Sequence, residues 1–178
     1  ETGGNGMGRK NHRFRVAVTG ITTGKLVDMG TKDSMNMGAA MAPAAFHTVM
    51  QNLKDLEITK EQLEGGWYDK IITGDLGKIG KQALADLLRN EGLEAEGFLM
   101  DCGVEIYDNQ KQDTHAGGSG CGCSALVLGA LILPNIQAGI WKRVLFVPTG
   151  ALLSTVSFNE GQTIPGIAHG VILERMGK

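Results

Sequence analysis

Five short β-type runs alternate with three stretches of helical apolar spacing along this chain, and that alternation confines it to a layered α/β fold. Residues 14–19 (FRVAVT) alternate apolar and polar side chains and are ended by Gly20. Residues 41–56 then set Ala42, Ala45, Phe46, Val49, Leu53 and Leu56 at helical spacing, with Pro43 expected in the first turn, where its missing N–H is harmless. Thr59 and Gln62 form a capping box for a short helical turn. A strand over 68–73 stops at Gly74 and Asp75, a helix over 82–90 is closed by Gly92, and 98–102 is a short strand. Residues 102–113 carry no clear period. Over 124–138, Val127, Leu128, Leu131 and Ile132 share one helical face, which Pro134 is expected to kink or end. Residues 144–147 are continuously apolar, as a strand covered on both faces must be, and 167–174 supply the last strand. The predicted order is βαβαβαββ, a mixed sheet with helices packed on it.

Size and charge narrow the function. With 178 residues the expectation is one domain over 13–178, preceded by a glycine-rich lead-in over 1–12. That lead-in has too few apolar side chains to offset its ordering entropy and is expected to be flexible. A formal net charge of -2 gives no strong electrostatic preference for a polyanion, which argues against a nucleic-acid binder of the basic-patch kind. The longest apolar run, 125–134, falls short of the roughly 20 residues a membrane helix requires. Cys102, Cys121 and Cys123 are odd in number and read as reduced thiols, which implies an intracellular setting. The chain opens on Glu1 without a signal sequence and reads as a fragment or a processed chain.

In layered folds of this kind ligands sit beyond the carboxyl ends of strands, which here means Thr73 to Asp75, Gly103 with its loop, and Pro148 to Ala151. The run GGSGCG over 117–122, opening a helix, can bring backbone N–H donors to a carboxylate or phosphate; the same small residues also suit tight helix packing. It matches neither the phosphate loop nor the dinucleotide fingerprint. Cys121 and Cys123 flank the helix start, where a thiol becomes more reactive, although free cysteine is more often a small buried hydrophobe. His115 adjoins the loop and can pair with an anion, but it lacks zinc spacing to the cysteines, so no metal site is expected. Asp75 can orient a ligand, bind a cation or cap the following turn. Met29, Met35, Met37 and Met41 suit core filling or a greasy contact surface.

Taken together, the strings KLVDMG, MAPAA, ITGDLG, THAGGSGCGCSA, TGALLS and GIAHGVILER resemble the second half of the stage V sporulation protein AD family, over about Phe14 to Arg175. That family resembles thiolases and β-ketoacyl synthases in fold, each subunit holding two βαβαβαββ halves. The resemblance implies a non-enzymatic protein of spore-forming bacteria, without a cofactor. It would bind the small dicarboxylate dipicolinic acid (pyridine-2,6-dicarboxylate), free or as its calcium chelate, and help move it into the spore. Its partners would be the other stage V sporulation A membrane proteins, at the forespore or spore inner membrane to which it attaches peripherally, and the N-terminal half missing here. The residues it nominates for the ligand are Thr73, Asp75, His115, Gly117, Gly118, Ser119, Cys121, Cys123, Thr149 and Gly150. Condensing enzymes carry a His after the strand that here ends in Thr73, Gly74 and Asp75, and thiolases a thiol where this chain has Thr149, Gly150 and Ala151. Those departures argue against carbon–carbon bond chemistry. An acyltransferase using Cys121 or Cys123, and a ligand-free scaffold of the membrane complex, are the alternatives. Without its other half the chain is expected to expose apolar surface and self-associate.

Overall fold

The computed structural model describes residues 15–108, 110–118 and 120–177, so the predicted lead-in lies outside the described residues. Five strands, β1 (Arg15–Thr22), β2 (Lys70–Thr73), β3 (Leu99–Asp101), β4 (Arg143–Val147) and β7 (Gly170–Met176), form one sheet in the order β1-β7-β4-β2-β3. The pairs β2–β3 and β2–β4 are parallel, whereas β7 runs antiparallel to both β4 and β1. A separate ribbon pairs β5 (Thr149–Ala151) with β6 (Gly166–Ala168). With helices α1 (Met37–Asp55), α3 (Gly77–Asn90) and the run from α5 (Cys123–Val127) to α6 (Leu133–Ala138) between the strands, the five-strand sheet has the predicted βαβαβαββ order.

Period-two alternation of the inner strands divides the core between the two faces. Ile71, Leu145, Val147 and Ile172 pack with Ala45, Val49 and Leu53 of α1 and with Leu84 and Leu88 of α3. Their neighbours Ile72, Val144, Phe146 and Leu173 pack on the opposite face with Val127, Ile132 and Ile136. Burying each Ile or Leu contributes about 1.5–3 kcal/mol.

Local signals held where they were short-range. The Thr59–Gln62 capping box closes α2 (Lys60–Glu64) as predicted. Gly92 takes φ +77° after α3, with its N–H on the Arg89 carbonyl and the Leu93 N–H on Leu88, so the helix stops there. Other boundaries moved. Strand β1 continues through Gly20 to Thr22, with a register shift between Val18 and Gly20. Helix α1 starts at Met37 behind the Asn36 cap, which puts Pro43 inside the helix and leaves Leu56 exposed at its end. Helix α3 begins at Gly77 rather than at 82, and a single turn, α4 (Cys102–Glu105), occupies part of the unpatterned stretch. The predicted last strand is two, β6 and β7, parted at His169, whose Nδ1 accepts the Gly24 N–H at 3.1 Å. A π-turn (Leu128–Ile132) precedes Pro134, and its wider winding absorbs the donor that proline lacks; the helix ends only at Gly139.

Candidate functional site

A cavity of about 520 Å³ opens at the carboxyl ends of β2 and β4, within the usual size of a small-molecule site. Its base comes from Asp75, Leu76 and Gly77 after β2 and from Thr149, Gly150 and Ala151 after β4. The glycine loop, through Gly117, Gly118, Gly120 and Cys121, also lines it, as do Met35, Met37 and Met41.

Two carboxylates organise the floor. Asp101 ends β3 and is fully buried. It accepts the Thr73 hydroxyl at 2.6 Å, the Leu76 N–H at 2.9 Å and the Gly77 N–H at 3.0 Å. Helix α3 has no side-chain cap of its own, so Asp101 satisfies its first donors from the neighbouring strand. Burial pushes the Asp101 carboxyl above its ordinary range, and those three hydrogen bonds pull the other way. Asp75 is the second carboxylate. Its Oδ2 accepts the Gly120 N–H at 2.8 Å, and its own N–H donates to Thr149 Oγ1 at 3.3 Å. Only glycine fits at 103, because a Cβ there would stand 1.9 Å from Asp75 Oδ1. Asp75 therefore does not cap the turn that follows it; it reaches across to the glycine loop.

The loop itself is stitched inward. Gly117 N–H donates to the Thr114 carbonyl at 2.8 Å, Gly118 N–H to Gly103 at 3.5 Å and Cys123 N–H to Gly120 at 3.1 Å. Lys78 N–H donates to the Ala116 carbonyl at 2.6 Å, and the Tyr107 hydroxyl to the Gly118 carbonyl at 3.0 Å. The N–H groups of Gly117, Gly118, Gly120 and Cys123 thus have acceptors within the protein.

Of the nominated residues, Asp75, Gly117, Gly118, Cys121, Thr149 and Gly150 line the cavity together. Thr73 is buried below it and holds Asp101. His115, at φ 48°, is outside the wall, its side chain 90% exposed beside Asp113. Cys123 is buried in the core with Cys102 and turns its back on the cavity. Ser119 lies outside the described residues. Burial, reinforced by Asp101, pushes the Cys102 thiol well up, which keeps it neutral. Sequence reasoning missed Asp101 as an organiser of the site; its signal was a carboxylate at a strand end beside Thr73. Among the described residues lining the cavity, Asp75 carries the one charged side chain. Among the described residues there is no cluster of three metal-ligating side chains and no helix long and apolar enough to cross a membrane.

Comparison with known proteins adds the family. The family model for stage V sporulation protein AD matches residues 2–174. The chain is 43% identical over 162 residues to stage V sporulation protein AD of Bacillus subtilis, covering 91% of this chain and 46% of that protein. It thus spans about half the length of that curated relative. Similar solved structures include the 3-oxoacyl-(acyl carrier protein) synthase FabH of Xanthomonas oryzae, with a TM-score of 0.45 and 11% identity over 92% of this chain and 57% of that one. OleA of Xanthomonas campestris is similar at a TM-score of 0.48 and 10% identity, over 92% and 57% of the two chains.

Proposed function

The chain belongs to the stage V sporulation protein AD family, and from that premise we propose that it is a non-catalytic dipicolinate-binding component of spore dipicolinate uptake. The observation that carries this reading is the cavity itself, lined by methionines and by the glycine loop and holding, among the described residues, one carboxylate, Asp75. A free dianion brought to about 4 Å from that carboxylate would meet a repulsion of about 4 kcal/mol per charge pair at an effective dielectric near 20. A calcium chelate of the same ligand is close to neutral and presents a cation that Asp75 can approach. The form bound is therefore the chelate, with Thr149 and Ser124 hydroxyls as further oxygen donors beside it.

The acyltransferase reading rests on Cys121, the exposed thiol of the wall. Among the described residues, no histidine lines the cavity to serve as its base. The scaffold reading needs no ligand at all. In the proposed role the chain acts with the other stage V sporulation A membrane proteins, peripherally at the forespore or spore inner membrane, and with the half of the fold that precedes it. Calorimetric titration of dipicolinate, with and without calcium, into this chain and into a longer one restoring the length of the curated relative tests the reading. Binding that requires calcium supports it, and absence of binding by both chains leaves the scaffold reading ahead.

A further inference from the structure

We infer that the end of the sheet opposite the cavity is the docking surface for an anionic lipid bilayer, met through the ends of β1, β7 and β4 and the turn after α6; this rests on the reading above that the chain attaches peripherally to a membrane. Strand pairing places the cations. Strands β2 and β4 are parallel, and β1 and β4 are both antiparallel to β7. Arg15, Lys70 and Arg143 therefore open their strands at the end away from the cavity, and β7 arrives there with Arg175. Lys142, just before β4, is exposed, as is Arg15. Two carboxylates share these strand ends, and both are engaged. Asp69 Oδ2 accepts the Lys142 N–H at 2.6 Å and the Arg143 N–H at 2.8 Å, and Glu174 pairs with Arg143. Glu94 and Glu96 come just before β3, the far edge strand, where both bridge to Arg89. Sheet order thus sorts the charge, with cations on the β1, β7 and β4 side and carboxylates beside β3. Anionic headgroups match the first side, since each Lys or Arg near such a surface adds to the attraction.

Apolar side chains accompany those cations. The chain has two tryptophans, and both stand at this end, Trp67 before β2 and Trp141 before β4. Each is partly buried, Trp67 against the core on one face of the sheet and Trp141 against the core on the other, and the Arg143 guanidinium lies 4.5 Å over the Trp67 ring. Tryptophan beside Lys and Arg suits the water–lipid boundary, where an apolar ring with one N–H donor meets both media. Ile140 is 67% exposed and Met176 43%. The turn that presents Ile140 is held in place: Gly139 takes the left-handed conformation, and the Ile140 and Trp141 N–H groups donate to the Asn135 carbonyl at 2.9 and 3.3 Å. A second exposed apolar group, Leu152, Val156 and Phe158 around α7 (Thr155–Asn159), lies in a run, 144–159, that contains no charged residue. It lacks the pairing of cation with apolar side chain and is the rival surface. Docking through the cationic end leaves the cavity, beyond the carboxyl ends of β2 and β4, facing away from the bilayer.

The test is flotation of the full chain with vesicles of phosphatidylglycerol mixed with phosphatidylcholine and with vesicles of phosphatidylcholine alone. Wild type should float with the anionic vesicles, far less with the zwitterionic ones, and less as salt is raised. Arg15→Glu with Lys142→Glu should cut partitioning to anionic vesicles by at least about tenfold. Ile140→Ser should lower it severalfold, and Val156→Ser with Phe158→Ser should leave it unchanged. Thermal unfolding at the wild-type midpoint shows that a variant is folded; Arg15→Gln with Lys142→Gln, which removes the charges without reversing them, serves if the reversal unfolds the chain and should lose a smaller share. Equal flotation with both vesicles, full binding by the folded charge variant, or loss confined to the α7 variant overturns this surface while leaving membrane attachment standing. Wild-type protein that floats with neither vesicle overturns the surface and direct attachment to lipid together.

Discussion

Thr73 and Asp101, at the ends of adjacent parallel strands, share a 2.6 Å hydrogen bond, and the same carboxylate receives the Leu76 and Gly77 N–H groups that open the next helix. One buried side chain thereby ties two strand ends to a helix start and fixes the turn on which Asp75 sits. Replacing Asp101 with Asn turns part of this acceptor set into a donor facing donors. Asp101→Asn should lower stability by about 2–4 kcal/mol, read from urea unfolding. Because burial holds the folded-state carboxyl above the ordinary value of 3.8, its stabilising contribution is fully present below that value and is lost as pH rises through the raised one. Wild-type stability should therefore decline relative to the Asn variant across that window, and a gap that widens with rising pH would contradict the assignment.

Gly103 is a spacing requirement rather than a turn. A Cβ at this position would overlap Asp75 Oδ1 and lie 3.1 Å from Asp101 Oδ1; the Asp75 carboxylate is held through its Oδ2 by the Gly120 N–H, and Asp101 Oδ1 by the Gly77 N–H. Gly103→Ala should push the Asp75 carboxylate off the Gly120 N–H and cost about 1–3 kcal/mol through overpacking. In the proposed role it should also weaken binding of the calcium–dipicolinate chelate by at least about tenfold, since the displaced group is the charged one at the base. Thermal unfolding and calorimetry on the same variant separate the two effects. Unchanged affinity would remove Asp75 from the site.

Tyr68 lies under the sheet with its hydroxyl donating to Asn52 Oδ1 at 2.7 Å, while Asn52 Nδ2 donates to Thr22 Oγ1 at 2.9 Å. Tyr68→Phe leaves a buried amide oxygen without its donor and should destabilise by about 1–3 kcal/mol. Burial pushes the Tyr68 phenol from the ordinary 10.0 up to about 12. Its contribution is complete below pH 10.0 and is lost as pH rises toward about 12, so wild type should lose stability over that range more steeply than the Phe variant. Parallel curves in alkaline urea titrations would refute this.

What the sequence made legible followed the range of the physics involved. The capping box at Thr59 and the left-handed stop at Gly92 depend on neighbours a few residues away, so they could be read directly. The apolar runs of β2 and β4 could also be read, because strands buried on both faces need side chains of one kind. The helix-capping role of Asp101 could not, since its partners precede it by a whole helix and meet it only once β2 and β3 pair. For the same reason Asp75 looked like a cap: its true partner, the Gly120 N–H, arrives from a distant loop. The β5–β6 ribbon escaped notice because Thr149, Gly150 and Ala151 have little strand preference and owe their conformation to the partner strand. His115 shows the limit of adjacency in sequence, being next to the loop yet turned to solvent.

The cysteines separate by exposure. Cys121 is open on the cavity wall, whereas Cys102 and Cys123 are buried together. Brief iodoacetamide treatment of the native protein should modify Cys121 alone, the other two reacting only after denaturation, as mass spectrometry would report. Dipicolinate with calcium should slow the reaction at Cys121 by covering it. Rapid native labelling of Cys123 would place that thiol in the cavity after all and revive the acyltransferase reading.

The last expectation concerns the outer surface of the helical run from α5 to α6. Residues 121–141 contain no Asp, Glu, Lys or Arg, although Ala125, Leu126, Gly129 and Ala130 face outward and Leu126 is 58% exposed. Just beyond the helix, Ile140 is 67% exposed. An uncharged apolar helix surface in water is unfavourable by the same area term that builds the core, and covering it is the remedy open to a chain of this length. Sedimentation velocity should therefore show self-association that strengthens with salt, as hydrophobic contacts do when no charge pairs are screened. Leu126→Lys on this surface should shift the population toward monomer, because a charge cannot be buried there without a partner. A monomer at all concentrations, with no binding of an apolar dye, would show that this surface tolerates water without cover.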